Sequence, residues 1–453
     1  MPPAKQLKPK YKAPSKLNVR KHLHMDALLA TLHQGFSTIA DPRRGQVDIS
    51  LTDTLMSGLA MFSLKDPSLL AFDERRRNDG NLRRIFNIGK VPSDTRMREI
   101  LDPIDPQQLR PLFRDIFRQL QRGKALEPMA YFKGAYLVSV DGTGSFSSEK
   151  LKSISCLVKK SRSGKLTYYQ QVLGAAIVHP DFKEVIPLMP EMIARQDGSK
   201  KNDCERNAAR RFLHGLRQDH PHLKLIIIED GLSSNGPHIR DLQHAGMHYI
   251  LGAKQGDHPL LFHHLEQAAE QGKLTEHSLV DPQNPKVTHV FRFLNGVPLN
   301  QANLDLLVNV IDYRQQSDKK TLHFSWVTDF TVTKDNVYQL MRGGRARWKI
   351  ENETFNTLKN QGYHFEHNFG LGQEHLSEVF VMLMMLAFLV DQTQQLTSVL
   401  FRSVWQKFGS KRSLWENVRN LFQVFELESM EMLYTALLHG YRQPQPEIFY
   451  ADP

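Results

Sequence analysis

The spacing of apolar positions changes twice along the chain. Residues 23–125 read as mainly helical: "DTLMSGLAMFSLKDPSLLAF" (53–72) carries an apolar face, and in "VPSDTRMREIL" (91–101) Ser93 or Asp94 can cap a helix. Near residue 134 the period shortens. "AYLVSVDGTG" (135–144) is a β-rich run ending in an aspartate–glycine turn, and "YYQQVLGAAIVHP" (168–180) and "EVIPLMP" (184–190) follow as two further apolar runs. "KNDCERNAARRFLHGLRQ" (201–218) returns to helical spacing, with Ala208, Phe212 and Leu216 near one face. "LKLIIIEDG" (223–231) is a continuous apolar run of the fully buried strand kind. A short helix at 236–245 and a strand at 247–254 complete the order β-β-β-α-β-α-β.

That order predicts an α/β fold, a mixed sheet with helices on its faces. Residues 255–333 depart from it. "VTHVFRFLNGVPLN", "LDLLVNVIDYRQ" and "LHFSWVTDFTV" are strand-like segments separated by "LNG" and "SDKK" turn signals, which predicts a mostly β insertion. Helix returns over 335–361 and dominates from 374 onward. "RARWKIENETFNTLKN" (345–360) lacks proline and glycine and can form one helix. "VFVMLMMLAFLV" (379–390), 12 residues between Glu378 and Asp391, is too short to span a bilayer and predicts a buried helix. The expected organisation is a basic arm (1–22), a helical domain (23–130), a core in two parts (131–254 and 334–395), a β-rich insertion (255–333) and a C-terminal helical region (396–453).

Charge narrows the class of partner. The 453 residues carry a net charge of +11, which favours a polyanion such as nucleic acid. Seven positive charges fall within the first 22 residues, with no acid among them. Two cysteines exclude a disulfide framework or a cysteine zinc site and suit a reducing compartment, and the basic N-terminus lacks the apolar segment of a signal peptide. A cytoplasmic protein is expected. The 20 histidines cluster loosely, as in "HFEH" (364–367), without metal-site spacing, and no Walker-type phosphate loop is present.

Three acids stand where chemistry collects in such a fold. Asp141 ends the first strand, Asp230 ends the buried strand with Glu229 as its competitor, and Glu351 or Glu353 lies on the helix after the insertion. Each has a structural alternative: Asp141 and Asp230 as ordinary turn residues, and the glutamates as i,i+4 partners of Arg347 and Lys349, worth a few tenths of a kcal/mol per pair. Gathered at one place, three carboxylates need hard cations, and oxygen-only ligands suit Mg²⁺ or Mn²⁺. Two such ions about 4 Å apart would clamp the attacking and leaving oxygens of a phosphoryl displacement.

On "VSVDGTG", "KLIIIEDGL" and "RARWKIENETFNTLKNQGYHFEHNFG", the chain resembles insertion-sequence DDE transposases with an RNase H-like core and a β-strand insertion before the catalytic glutamate. The likeness spans roughly residues 40–395. In that class the glutamate helix resembles a pattern called YREK. Arg347 and Glu351 match it in place, whereas the tyrosine position holds Gly344 and the lysine position holds Leu358, with Lys359 one residue on. The resemblance implies Asp141, Asp230 and Glu351 as catalytic ligands of two Mg²⁺ or Mn²⁺ ions. It implies double-stranded DNA (terminal inverted repeats and target) as substrate, a homodimer in the DNA complex, and a bacterial, nucleoid-associated location. Arg347 and Lys359 would contact phosphates, and Trp348 would stack on a displaced base. Lys159, Lys160 and Arg162, expected in a loop between the first two strands, and Arg345 would track the DNA backbone, as would the basic cluster at 73–84. A nuclease or resolvase without strand transfer, or a catalytically silent DNA-binding descendant, are the alternative readings.

Overall fold

The computed structural model describes residues 20–77, 79–153, 156–193 and 204–440. The basic arm up to residue 19 and the last 13 residues of the expected C-terminal region lie outside them.

Among the described residues six α-helices precede the sheet: α1 (Met25–Phe36), α2 (Leu51–Ser63), α3 (Leu69–Arg76), α4 (Asn81–Ile85), α5 (Asp94–Leu101) and α6 (Arg110–Arg122). Ser50, Ser68 and Ser93 cap α2, α3 and α5 by accepting from the amides of Asp53, Ala71 and Arg96, which satisfies donors that a helix start leaves free. The basic stretch after residue 73 is largely tied into the fold. Arg75 is buried against Asp66 and Asp79, and Arg76 and Arg77 both pair with Asp73. Arg75 is therefore committed inside the fold and Arg76 is half-buried, whereas Arg77, Arg83 and Arg84 are exposed.

The strands are β1 (Tyr136–Ser148), β2 (Leu157–Lys160), β3 (Leu166–Val178), β4 (Ile186–Pro187) and β5 (Glu191–Ile193). Then come α7 (Glu205–Asp219), β6 (Leu225–Glu229), α8 (Gly236–His244) and β7 (His248–Gly252). The segment expected to be mostly β opens instead with a helix, α9 (Pro259–Glu270), before β8 (Thr275–Asp281), β9 (Asn284–Asn300), β10 (Asn303–Ser317) and β11 (Thr321–Thr328). All pair into one sheet of order β2-β3-β1-β6-β7-β11-β10-β9-β8, with β4 and β5 on β3. The centre, β1-β6-β7, is parallel, and β3 and β11 flank it antiparallel. Every residue of β6 is buried, as its unbroken apolar run requires. This is the mixed α/β, RNase H-like arrangement expected.

After the sheet come α10 (Val337–Arg345), a π-helical turn (Ile350–Phe355) and α11 (Asn356–Asn360), then α12 (Leu376–Thr397), α13 (Val399–Phe408), α14 (Lys411–Val424) and α15 (Met430–His439). Stretch 345–360 is thus not one regular helix. Ala346 N–H is shared between the Arg342 and Gly343 carbonyls, Arg347 N–H reaches only to Gly344, and the backbone then widens into the π turn. Such widenings re-aim side chains and gather at functional sites. Helix α12 is apolar and long enough to cross a membrane by length and composition, but nearly all of it is buried inside the protein. It packs against α2 and α6, and the Asp102 carboxylate accepts from the amides of Gln373, Glu374 and Leu376 at its start.

Candidate active site

β1 and β6 run side by side in parallel, with Ser139 level with Ile228, so two residues further Asp141 stands level with Asp230. Asp230 follows the last residue of β6, as predicted. Asp141 does not end its strand: β1 continues to Ser148, still paired with β3 through Asp141↔Gly174 and Thr143↔Val172. The polar "DGTGSFSS" reads as a turn only until the ladder that β3 offers is known. What ends near Asp141 is the neighbour, β6, and that leaves the aspartate facing open space. Asp141 and Asp230 line one cavity of about 560 Å³, together with Glu229, Glu205 and His238.

Each aspartate is held by the adjacent backbone. Gly142 N–H donates to Asp141 Oδ1 at 2.9 Å, and Leu232 N–H donates to Asp230 Oδ1 at 2.9 Å. Glu229, the competing acid, is buried and bound at 2.5 Å to His238 Nε2. Asp230 is the more accessible of the two.

The helical acid arrives over β1 and β3. Ser139 Oγ donates to the Arg347 carbonyl at 2.8 Å, pinning the turn before the π segment to β1. Phe355, in the same π turn, sits in the space that a Cβ on Gly174 would need, 2.6 Å from its ring, so the helix descends onto the sheet opposite Asp141. Arg347 Nη1 donates to Asp141 Oδ2 at 3.1 Å and to Glu351 Oε1 at 2.7 Å. Glu353 faces the other way and lines a separate hollow with Trp348, Lys349 and Asn352. Lys349 does not reach Glu353 as the i,i+4 spacing suggested; its ammonium meets the Phe182 carbonyl.

Burial, opposed by Arg347 and reinforced by Glu351, pushes the Asp141 carboxyl up from 3.8 to about 6. Glu205 is also raised, first by burial and then by Asp230 and Glu229. The donor set is carboxylate oxygen throughout, and one guanidinium already stands where Asp141 and Glu351 call for positive charge. Both features fit hard divalent cations.

The remaining expected residues divide by location. Trp348 is 50% exposed, edge-on to Phe324, and Arg345 lies over the Phe324 ring at 5.2 Å while bonding Gln315, so both face the β10–β11 side. Trp326 is buried core of that region. Lys159 and Lys160 are not in a loop: they lie on the short strand β2, held there by pairing with Thr167 and Leu166, and only Arg162 is in the turn that follows. Leu166 is eight residues along β3 from Gly174, roughly 26 Å from the acids. Lys359 is paired with Glu366 at 2.8 Å. Gly344, where the YREK pattern has tyrosine, leaves no room for a side chain, because a Cβ there would lie 2.6 Å from Trp326 Nε1. Leu358, at the lysine position, is fully buried. Glu205, at the start of the helix joining the two aspartate-bearing strands, also lines the cavity of Asp141 and Asp230 and was not among the expected residues.

No curated protein matches the chain. The family described as transposase DDE domain matches residues 159–389, just over half of the 453 residues; it takes in Asp230 and Glu351 and begins after Asp141. With the mixed sheet and the acids at the head of its parallel centre, this match identifies the chain as a member of the transposase DDE domain family, an insertion-sequence transposase of the DDE type.

Proposed function

We propose that Asp141, Asp230 and Glu351 hold two divalent cations, Mg²⁺ or Mn²⁺. With them the transposase would cut DNA at the terminal inverted repeats of its element and join the freed 3′-hydroxyl to target DNA, in cut-and-paste fashion. One observation carries this reading: Asp141 and Asp230 face one cavity from adjacent strands, and Arg347 links Glu351 to Asp141. Bound cations supply charge neutralisation for the phosphodiester and for the oxygens that attack and leave it. The chain's own part is positioning. The two aspartates are fixed by backbone amides, Glu351 is tied to Asp141 through Arg347, and Arg347 would offer its guanidinium to a phosphate oxygen. Trp348 presents an open face for stacking a displaced base, a contact worth about 1–3 kcal/mol. Lys159, Lys160 and Arg162 would follow the backbone further out, and Arg345 and Lys359 would add charge beside the helix. The helical region 23–130 would read the terminal repeats. Since two DNA ends must be processed, two copies would act together, with the C-terminal helices as the pairing surface.

The test is a cleavage and strand-transfer assay on DNA carrying the element ends, with Mg²⁺ or Mn²⁺. Asp141→Ala, Asp230→Ala and Glu351→Ala should abolish both products, and Glu353→Ala should keep both. Wild-type protein that binds these ends and never cuts them would make the chain a silent DNA-binding derivative. Cutting without joining would make it a nuclease.

A further inference from the structure

We propose that Lys254 holds a DNA phosphate on the Asp230 side of the site, in a hollow of its own beside the cavity of the acids. The proposal rests on the reading of Asp230 as a ligand at the point of cleavage. The hollow, of about 430 Å³, is lined by Asp230, Lys254, His323, Arg345, Arg347 and Trp348. It shares Asp230 and Glu229 with the cavity of Asp141. Asp141 and Glu205 line that cavity only, whereas Lys254, Arg345 and Arg347 line the hollow only. Cations beside an open aromatic face are what a phosphate backbone carrying bases requires.

The other basic side chains of the hollow are already engaged. Arg347 bridges Asp141 and Glu351, Arg345 bonds Gln315, and His323 bonds Asp312. Lys254 is exposed, and its ammonium makes no hydrogen bond or ion pair with a described residue. Its backbone, in contrast, is fixed. The Lys254 carbonyl accepts from the amides of Asp257 and His258 at 3.0 Å, and Ala253 N–H donates to the Ser325 carbonyl on β11 at 2.9 Å. Two glycines bring this anchor up to Asp230. A Cβ on Gly252 would lie 3.1 Å from Gly231 N and 3.2 Å from the Asp230 carbonyl carbon, so the end of β7 fits against the Asp230 backbone only without one. The Lys254 stem then passes over Gly231, with Cγ 3.6 Å from where a Cβ would stand. A held stem with a free ammonium beside Asp230 is a point charge kept for the substrate, and phosphate is the charge that DNA brings.

The probe is a duplex carrying the element's terminal repeat, bound to the full chain without added divalent cation so that binding is read apart from cutting. Lys254→Met, which keeps the stem, should weaken binding at least fivefold and lower the slope of log K against log salt by about 0.9, the value of one phosphate. Lys254→Arg should keep both near wild type, and circular dichroism checks folding. Methylphosphonates placed one at a time around the element's end should cost the wild type that same factor at one position and cost Lys254→Met nothing there. An unchanged slope overturns the proposal even if affinity falls, because a structural role moves affinity alone. A silenced phosphate far from the element's end overturns the placement beside Asp230. Cutting lost in Asp230→Ala with a wild-type slope in Lys254→Met overturns this contact alone. The expected slope and methylphosphonate pattern in a protein that never cuts with Mg²⁺ would support the contact and overturn the proposed function.

Discussion

Arg347 Nη1 lies between Asp141 Oδ2 and Glu351 Oε1, 3.1 and 2.7 Å away, so a single guanidinium holds together two acids more than two hundred residues apart in the chain. Arg347 is 17% exposed and Glu351 49%, so the pair with Asp141 is the more shielded of the two. Arg347→Ala should lower strand cleavage about 10²–10³-fold, the usual effect of removing one preorganised donor to a developing charge. It should also enlarge the rise in melting temperature on adding Mg²⁺, because the cation would then be the sole neutraliser. Cleavage within threefold of wild type would show that the guanidinium has no part in the reaction.

Asp141 sets a pH window. Its carboxyl is raised from 3.8 to about 6, so between those values the folded protein binds a proton that the unfolded chain does not. Without divalent cation, its contribution to stability should fall as pH rises through that window. A cation must displace the proton below pH 6, so its affinity should drop about tenfold per pH unit there. Melting curves with and without Mg²⁺ from pH 5 to 8 should show a cation-induced rise that grows to about pH 7 and then levels. An equal rise at pH 5 and pH 7.5 would contradict this.

Lys65 ties three regions together. Its ammonium is fully buried, 2.5 Å from Asp391 Oδ2 on α12, over the rings of Tyr363 and Trp415 at 4.3 and 4.1 Å, and Tyr363 OH also donates to Asp391. Asp391→Ala strands a buried cation and should destabilise the fold by roughly 3–5 kcal/mol in denaturant titrations. Lys65→Met combined with Asp391→Leu should recover most of that loss.

Gly344 marks where this chain leaves the YREK pattern. Gly344→Tyr would drive a side chain into Trp326 and should destabilise by about 1–3 kcal/mol or more, as overpacking does. Trp326→Ala alone should cost about 3–5 kcal/mol, and the loss in the double variant should be smaller than the sum of the two single losses. A stable Gly344→Tyr single variant would show that α10 can shift away from β11.

Lys159, Lys160 and Arg162 are all exposed, so their replacement by alanine should leave folding unchanged. If they meet phosphates, the triple variant should reduce the slope of log K against log salt by about 0.9 for each phosphate no longer neutralised. An unchanged slope would remove this hairpin from the DNA path.

Much of the site is legible before folding. The apolar run 225–228 announces a buried strand and makes the next acids conspicuous, and four-residue spacing is enough to couple Arg347 to Glu351. What escapes depends on partners distant in sequence. The strand beyond Asp141 is polar and becomes a strand through the β3 ladder. The break at 346–347 follows from docking on Ser139 and Gly174, and neither contact leaves a trace in local periodicity. Glu205 looks like an ordinary first-turn acid until Gly142 is placed beneath it.

The pairing of β11 with β7 has a consequence for any shortened form. The long segment after β7 was not added as a detachable lobe; its last strand covers the outer side of the strand next to Asp230. Excising residues 255–333 would bare a row of unpaired amides and carbonyls on β7, the kind of unprotected edge that recruits other chains. A trimmed catalytic core of this transposase should therefore aggregate rather than fold as a smaller enzyme, and natural deletions here should be lost as insoluble protein.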